Sequence, residues 1–491
     1  MRSSSAYGMA LVALLGGCTM IPNYHKPEGP VASVWPQGQS TGASGQDASA
    51  LLQDWQSFYR DPVMQSLIAR ALENNRDLRI AQQQTAAASS QFDIENAALF
   101  PTLNGTAGAN IQKMNSHIWS LSRTDEPIYM RQYAVGFGVS AYEVDLWGRI
   151  RSASRASFDR YMASAFNQQA MRLSIISSVA TAMLNWVANT QALAVTQAVL
   201  ANRQHTYTLV KQTADVGTGT QLDVAEAEAA LHDAETNLQL YTRQRAEALD
   251  QLTLLVGSPL PEATMQSMST KASLNAVVAF PDVPEGLPSD MIARRPDIAA
   301  SEGELRAAND DIGAARAEFF PKIQITAANG TASNNITRLF QSGMGAWNVA
   351  PQITVPLFDA DRLTAQLKQA HARKREDVAR YERTIQSAFR EVADALAGRE
   401  TFIKQLTAQQ ASVSATQRQY TLALQRFKAG YDPYLATLIA QRGWYTAELA
   451  AITTQLQAMS NSITLYKALG GGWGSTCPRA APLCLSMFCK C

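Results

Sequence analysis

The chain has 491 residues, 46% of them hydrophobic, and a formal net charge of +1 at pH 7. That length permits two domains or one large core, and a charge so near zero excludes the basic footprint of a nucleic-acid-binding protein. Past the first twenty residues there is no run of 18 apolar residues. This argues against a spanning helix but leaves a β-barrel open, because the barrel signal is weak in each strand.

The first stretch is a targeting segment. Arg2 supplies a positive start, Met9 to Leu15 a short apolar core, and Leu15-Gly16-Gly17-Cys18 follows. Residues 1–17 therefore read as a secretory signal rather than a spanning helix. Small residues ending at a cysteine resemble the bacterial lipobox, which implies that Cys18 becomes the lipidated first residue of the mature chain. The alternative is an ordinary signal with an incidental cysteine. Thr19, rather than Asp, follows the cysteine; in the lipoprotein pattern this favours outer-membrane sorting. Stable anchoring takes two lipid signals, and the several acyl chains of a lipobox cysteine meet that need. Residues 18–53 are rich in Pro, Gly, Ser and Gln and read as a lipid-anchored, extended tether.

Residues 54–257 form a first repeat. Asp61 precedes Pro62 as a helix cap, with proline suited to the first turn. That helix is expected to reach about Phe100, with a break near Asn74-Asn75. Phe100-Pro101 stops it, because proline lacks an N–H and disfavours the α region before it. Weak alternation marks strands at about 102–113 and 132–144, the right length for tilted membrane strands. A pair of soluble hairpins is the alternative, but a lone hairpin is only marginally stable. Residues 146–216 contain no proline and read as one long helix; seventy residues would span roughly 100 Å. Its apolar positions Leu173, Ile176, Ala180, Met183 and Val187 are spaced 3-4-3-4, the spacing of coiled-coil packing. The chain turns at Gly217-Thr218-Gly219 and returns as a helix over 221–256.

Residues 258–289, with five prolines between Pro259 and Pro288, link this repeat to a second one over 290–473. The second repeat has strands at about 322–332 and 346–356, a long helix over 360–429, and a return helix over 434–469. Its seam is Val378, Tyr381, Ile385, Ala388, Val392 and Ala395. Ordered anchors tie the copies together: Phe100-Pro101 to Phe320-Pro321, Asp145 to Asp359, Gly217 to Gly430, and Gly257 to Gly470. A repeat of half the chain means a duplicated domain rather than a short solenoid array. Residues 474–491 hold Cys477, Cys484, Cys489 and Cys491 in an irregular tail. Their spacing and the lack of nearby histidine give no metal site.

Several motifs together resemble the outer membrane efflux protein family, the TolC-like channels, in their lipoprotein (NodT-type, OprM-like) branch. They are the lipobox Cys18, the Trp55-to-Pro62 opening, and the Ala-rich helices ending in Phe-Pro. Asp-Leu-Trp-Gly-Arg (145–149), Arg294-Arg295-Pro296-Asp297 and Pro356-Leu357-Phe358-Asp359 belong with them, as does Leu465-Tyr466-Lys467-Ala468-Leu469-Gly470-Gly471-Gly472-Trp473. The resemblance spans roughly 18–473. It implies a mainly α fold with a β-barrel part. Three copies would form a 12-stranded outer-membrane barrel and a periplasmic α-helical barrel. It also implies a homotrimer anchored in outer-membrane lipid of a Gram-negative bacterium, working with a periplasmic adaptor and an inner-membrane transporter. Here physics agrees: four strands cannot close a barrel, and open edges are not tolerated in lipid.

No catalytic, cofactor or metal constellation is visible. The five histidines are scattered, none in a His-Glu-x-x-His pattern, and Gly217-x-Gly219 lacks the third glycine of a nucleotide loop. The expected function is therefore non-enzymatic, and the resemblance implies a passive exit duct exporting drugs or toxic small molecules. A duct for protein secretion and a non-pore coiled-coil lipoprotein are the alternatives. The candidate periplasmic gate lies at the two helical turns, with Asp223, Tyr431 and Asp432. Three copies would bring up to six carboxylates around one opening, and rings of Asp select for cations. Tyr431 would plug the bore or bond to a neighbouring helix. The alternative is that both aspartates cap helix starts. The family's acidic pair after the second turn is absent here, where Ala436 and Ile439 stand instead.

Overall fold

The structure, a computed structural model, describes residues 19–32, 55–114, 128–271, 273–281 and 295–471. Cys18, the signal, most of the tether, the loop carrying Trp119 and the tail over 474–491 lie outside the described residues. In chain order the main elements are α1 (Pro62–Asn74), α2 (Arg76–Ala97), β1 (Leu103–Met114), β2 (Ile128–Glu143), α3 (Arg149–Asp215) and α4 (Gln221–Val256). The order then repeats with α5 (Pro296–Ala317), β3 (Lys322–Ser333), β4 (Gly345–Thr354), α6 (Arg362–Lys428) and α7 (Tyr434–Ala468). The long helices α3 and α6 each have 67 residues. Two compact units make up the chain. One draws its described residues from 19–27, 86–163 and 301–381, the other from 28–85, 164–300 and 382–471.

In the first unit the four strands form one antiparallel sheet in the order β1-β2-β3-β4. Side chains alternate across a strand, and the register sorts them. One face carries Leu103, Ile111, Val135, Phe137, Val139, Ile323, Ile325, Trp347 and Val349. The other carries Asn104, Thr106, Asn110, Gln132, Gly136, Gln324, Gly330 and Asn348. Phe137, Trp347 and Val349 are all more than half exposed. An apolar face left bare opposite a small, polar face is the pattern of a lipid-facing strand with a wet interior. Gly136, Gly138 and Gly330 lie on the polar face at close approaches: a Cβ on Gly136 would come within 2.6 Å of the Asn329 carbonyl. A bulge between Val139 and Tyr142 shifts the β2–β3 register, with Ala141 at φ +54°.

The same unit shows why aspartate recurs where each second strand gives way to a long helix. The Asp145 Oδ2 accepts the Arg151 backbone N–H at 2.9 Å, and the Asp359 Oδ2 accepts that of Leu363 at 2.9 Å. Each carboxylate satisfies an orphan donor in the first turn and sits against the positive end of the helix. Residues 19–27 lie as a strap along α5 and α6. Asn309 donates to the Pro22 carbonyl at 2.9 Å and accepts from the Lys374 Nζ at 2.8 Å. Lys26 pairs with Glu302 at 2.7 Å.

Nearby, burial and then the charge of Asp310 push the Asp159 carboxyl up to about 7. Burial, with the charge of Asp311, pushes Asp310 up to about 6, although Arg155 and Arg306 act against it. Both groups hold protons more tightly folded than unfolded, where a carboxyl titrates near ~3.9.

In the second unit the core is helical. Asp61 caps α1 by accepting from the Val63 and Met64 amides and also pairs with Lys271 at 2.6 Å. Met64, Leu67 and Ile68 on α1 are fully buried, each contributing roughly 1.5–3 kcal/mol relative to exposure. The break falls at Asn75, whose side chain accepts from Leu78 N–H at 3.0 Å and donates to the Leu255 carbonyl at 2.8 Å. Phe58 stacks on Tyr466 at 4.2 Å and on Phe280 at 5.3 Å. Arg295 donates to the Ala468 carbonyl at 3.0 Å and pairs with Asp297 at 2.7 Å and Glu391 at 2.9 Å. It thus joins the start of α5 to α6 and to the end of α7.

Leu173, Ile176, Ala180, Met183 and Val187 of α3 are all buried, as are Tyr381, Ile385, Ala388, Val392 and Ala395 of α6. Val378, expected on the same seam, is only half-buried. Asn202 of α3 donates to the Tyr420 hydroxyl of α6 at 2.7 Å, and Thr196 of α3 bonds the Tyr445 hydroxyl of α7 at 2.9 Å. Among the described helices α3 alone is long and apolar enough to cross a bilayer, and 61% of that stretch is buried within the fold, as in a core helix.

Two outcomes are expected. Ile176→Asp puts a carboxylate at a position 2% exposed. It should cost at least the ~2–5 kcal/mol of a large-to-small core change, with the burial of a polar group added. Unfolding at the wild-type temperature would remove Ile176 from the seam. The raised Asp159 and Asp310 carboxyls stabilise the fold fully below the unfolded value, and that stability is lost as pH rises through their folded values. Thermal stability should therefore fall between about pH 4 and pH 7, and Asp159→Asn should flatten the fall. An equally steep profile in the variant would assign the pH dependence to other groups.

Candidate gate at the helical turns

The two turns are built differently. After α3, Gly217 takes φ +79°, a left-handed conformation suited to glycine. The Thr218 and Gly219 amides both donate to the Thr213 carbonyl at 3.0 Å. Thr220 then caps α4. Its hydroxyl accepts the Asp223 N–H at 3.1 Å, and the Asp223 carboxylate reaches back to the Thr220 N–H at 3.3 Å and the Thr220 hydroxyl at 2.6 Å. This is a capping box, here closed by Asp. Asp223 is therefore a helix-start residue, half-buried and engaged with its own turn.

After α6, Gly430 takes φ +76°, and the Tyr431 amide donates to the Arg426 carbonyl at 2.9 Å. Asp432 does not cap α7; Pro433 occupies that position with no side-chain cap bond. Instead Asp432 faces Arg426 in a two-pronged pair, Nε to Oδ2 at 2.6 Å and Nη2 to Oδ1 at 2.9 Å. The guanidinium holds the Asp432 carboxyl below its ordinary value, and Asp432 raises that of Arg426. Tyr431 is 78% exposed. Val216, Leu222 and Ile439 nearby are also more than half exposed.

A small core brings the two turns together. Val210 of α3, Ala227 of α4 and Tyr434 of α7 are buried in one cluster, flanked by Tyr207, Val224, Phe427 and Leu438. Asp223, Tyr431 and Asp432 thus belong to one end of one helical bundle. Sequence reasoning missed Arg426. Its only signal was a basic residue in the last turn of α6, six positions before Asp432. It also missed Thr220, although Thr220-x-x-Asp223 has capping-box spacing. Elsewhere in the unit an open groove between α3, α4 and α7 is lined by Ser177, Thr181, Asn185, Asn189, Gln251 and Lys467, with no His or Cys among its lining residues. Among the described residues no group of His, Cys, Asp or Glu is arranged to hold a metal ion.

Comparison with known proteins agrees with this architecture. The chain matches the outer membrane efflux protein family over residues 67–258 and 287–471. It is 40% identical to the antibiotic efflux pump outer membrane protein ArpC of Pseudomonas putida, covering 96% of both chains. It is 41% identical to the solvent efflux pump outer membrane protein SrpC of Pseudomonas putida, covering 95% of this chain and 97% of the other. Among solved structures it resembles the open state of the outer membrane channel MtrE of Neisseria gonorrhoeae. The TM-score there is 0.83 at 36% identity, over 93% of this chain and 99% of that one. The chain belongs to the outer membrane efflux protein family.

Proposed function

We infer that this protein is the outer-membrane exit duct of a tripartite efflux pump in a Gram-negative bacterium. One observation carries the reading: a four-stranded sheet with an apolar face bare to the outside and both edge strands unpaired among the described residues. Unpaired edges are not tolerated in hydrocarbon, and four strands are too few to close a barrel. Three copies supply twelve strands and one closed barrel. The long helices of the same three copies then enclose a continuous tunnel. The duct conducts passively, while an inner-membrane transporter, reached through a periplasmic adaptor, supplies energy and selects cargo. Relatives of similar identity are named for antibiotic and for solvent efflux, which supports a duct indifferent to cargo. Cys18 anchors the mature chain by its acyl groups, and the strap over 19–27 ties that anchor to α5 and α6.

The turns form the periplasmic gate. Arg426 already neutralises Asp432 within one protomer, so of the two aspartates Asp223 is the one left to charge the ring, and Tyr431 is the bulky group free to narrow the bore. Because the Asp432 carboxyl lies below its ordinary value, the stability of its ion pair is present above about pH 4 and lost as pH falls through the folded value. Gating should thus be insensitive to pH between about 5 and 8 as far as this pair is concerned.

Purified protein in planar bilayers should give single-channel conductance and run as a heat-resistant trimer. A monomer without conductance would make it a non-pore lipoprotein. Mass spectrometry of the mature chain should find an acylated Cys18; an unmodified cysteine would sink the anchor. Arg426→Ala should raise cation selectivity by unmasking Asp432, and adding Asp223→Asn and Asp432→Asn should lower it. Unaltered selectivity in both would place the gate elsewhere.

A further inference from the structure

The duplication places one joint in the chain twice, once covered and once bare. In the first copy, where β2 leads to α3, the Val144 amide donates to the Ile323 carbonyl at 2.8 Å. Trp147 stacks on Phe320 at 4.7 Å, and its indole donates to the Pro321 carbonyl at 3.0 Å. The start of β3 thus covers the end of β2, and Val144 and Phe320 are half-buried. In the second copy, where β4 leads to α6, Leu357 is 93% exposed and Phe358 91%. The start of β1 is bare as well, with Phe100 68% exposed and Leu103 66%.

The hairpin registers show which strands correspond. Leu103 faces Val139 in the first hairpin, and Ile323 faces Ile353 in the second. So β1 corresponds to β3 and β2 to β4, and the same spacing that carries Val139 onto Ile353 carries Asp145 onto Asp359. The covered β2–β3 joint is therefore a template for a β4–β1 joint. Tyr142 opposite Ile325 becomes Pro356 opposite Gly105, and Glu143 opposite Gln324 becomes Leu357 opposite Asn104. The bond from the Val144 amide to the Ile323 carbonyl becomes one from the Phe358 amide to the Leu103 carbonyl.

We propose that Leu357 and Phe358 dock, in this register, on Phe100 to Asn104 of a second copy of the chain. The inference rests on the trimeric duct reading and adds to it the residues and the register of each seam. Both surfaces are apolar, both are bare, and each continues a strand whose outer edge is unpaired. Pro356 brings no N–H to the ladder, so the joint leans on the Phe358 amide and on burial of the Phe358 ring against Leu103 of the partner subunit.

A cysteine pair tests the register. The Phe358–Leu103 position copies a hydrogen-bonded pair, so Leu357 and Asn104 of the partner subunit form the adjacent non-hydrogen-bonded pair, with Cα atoms about 4.5 Å apart. That spacing is within reach of a disulfide. Full-length protein with Leu357→Cys and Asn104→Cys is oxidised, with the four tail cysteines replaced by serine and Cys18 kept. The comparison pairs combine Leu357→Cys with Thr102→Cys or with Thr106→Cys. A covalent trimer on a non-reducing gel is expected for the first pair and its loss for the other two. Phe358→Ala should also lower the temperature at which the uncrosslinked trimer dissociates, and Phe358→Leu should restore it. If light scattering shows a trimer but only an off-register pair links, or none does, the proposal is overturned and the duct reading stands. If the wild-type chain does not assemble at all, the duct reading fails first.

Discussion

The rest of this structure depends on what happens to the hydrogen-bonding groups at the two edges of one sheet. In water an edge strand is an aggregation hazard; in hydrocarbon it is excluded, because each unsatisfied N–H or C=O costs several kcal/mol. β1 and β4 expose such edges, and their apolar side chains face outward rather than onto a core. Among the described residues nothing completes this sheet. The duplicated design, the two long helices and the need for further copies all serve an element that is stable only when closed.

Helix-to-sheet coupling is handled by a few polar groups. Asp145 and Asp359 each bind the first turn of a 67-residue helix, so the orientation of that helix is set where the strand leaves the sheet. Arg149 reinforces the first copy by gripping Glu143 through two bonds at 2.8 Å. In the second unit Arg295 does comparable work from a buried position, 6% exposed, with a carbonyl and two carboxylates around it. A guanidinium presents several donors in a rigid fork, so its fixed acceptors tie the elements together at defined angles.

Much of this was legible in the sequence because proline, glycine and aspartate punctuate it. Phe100-Pro101 and Phe320-Pro321 stop their helices, and Gly217 and Gly430 lie at the expected turns, where both prove to be left-handed. The 3-4 spacing of Ile176, Ala180 and Met183 marks a buried stripe because a helix repeats every 3.6 residues. What could not be read were contacts between distant or merely polar groups. Nothing local announces that Arg426 will reach Asp432 across a turn, or that Asp159 and Asp310, on helices far apart in sequence, will share a site poor in water. The β2 bulge was equally hidden, since Ala141 is not a residue that prefers positive φ.

The order of the strands has a consequence for how the protein is made. β1 and β2 are a local hairpin, as are β3 and β4, but β2 pairs with β3 between partners as distant as Val139 and Ala327. Contacts of such high order form slowly, because the intervening chain must be gathered first. The helices between them are rich in local contacts and form early. A newly exported chain therefore spends its first moments with finished helices and two separate hairpins, each only marginally stable by itself and each showing apolar side chains to water. Such a chain is exposed to aggregation until its membrane part can close.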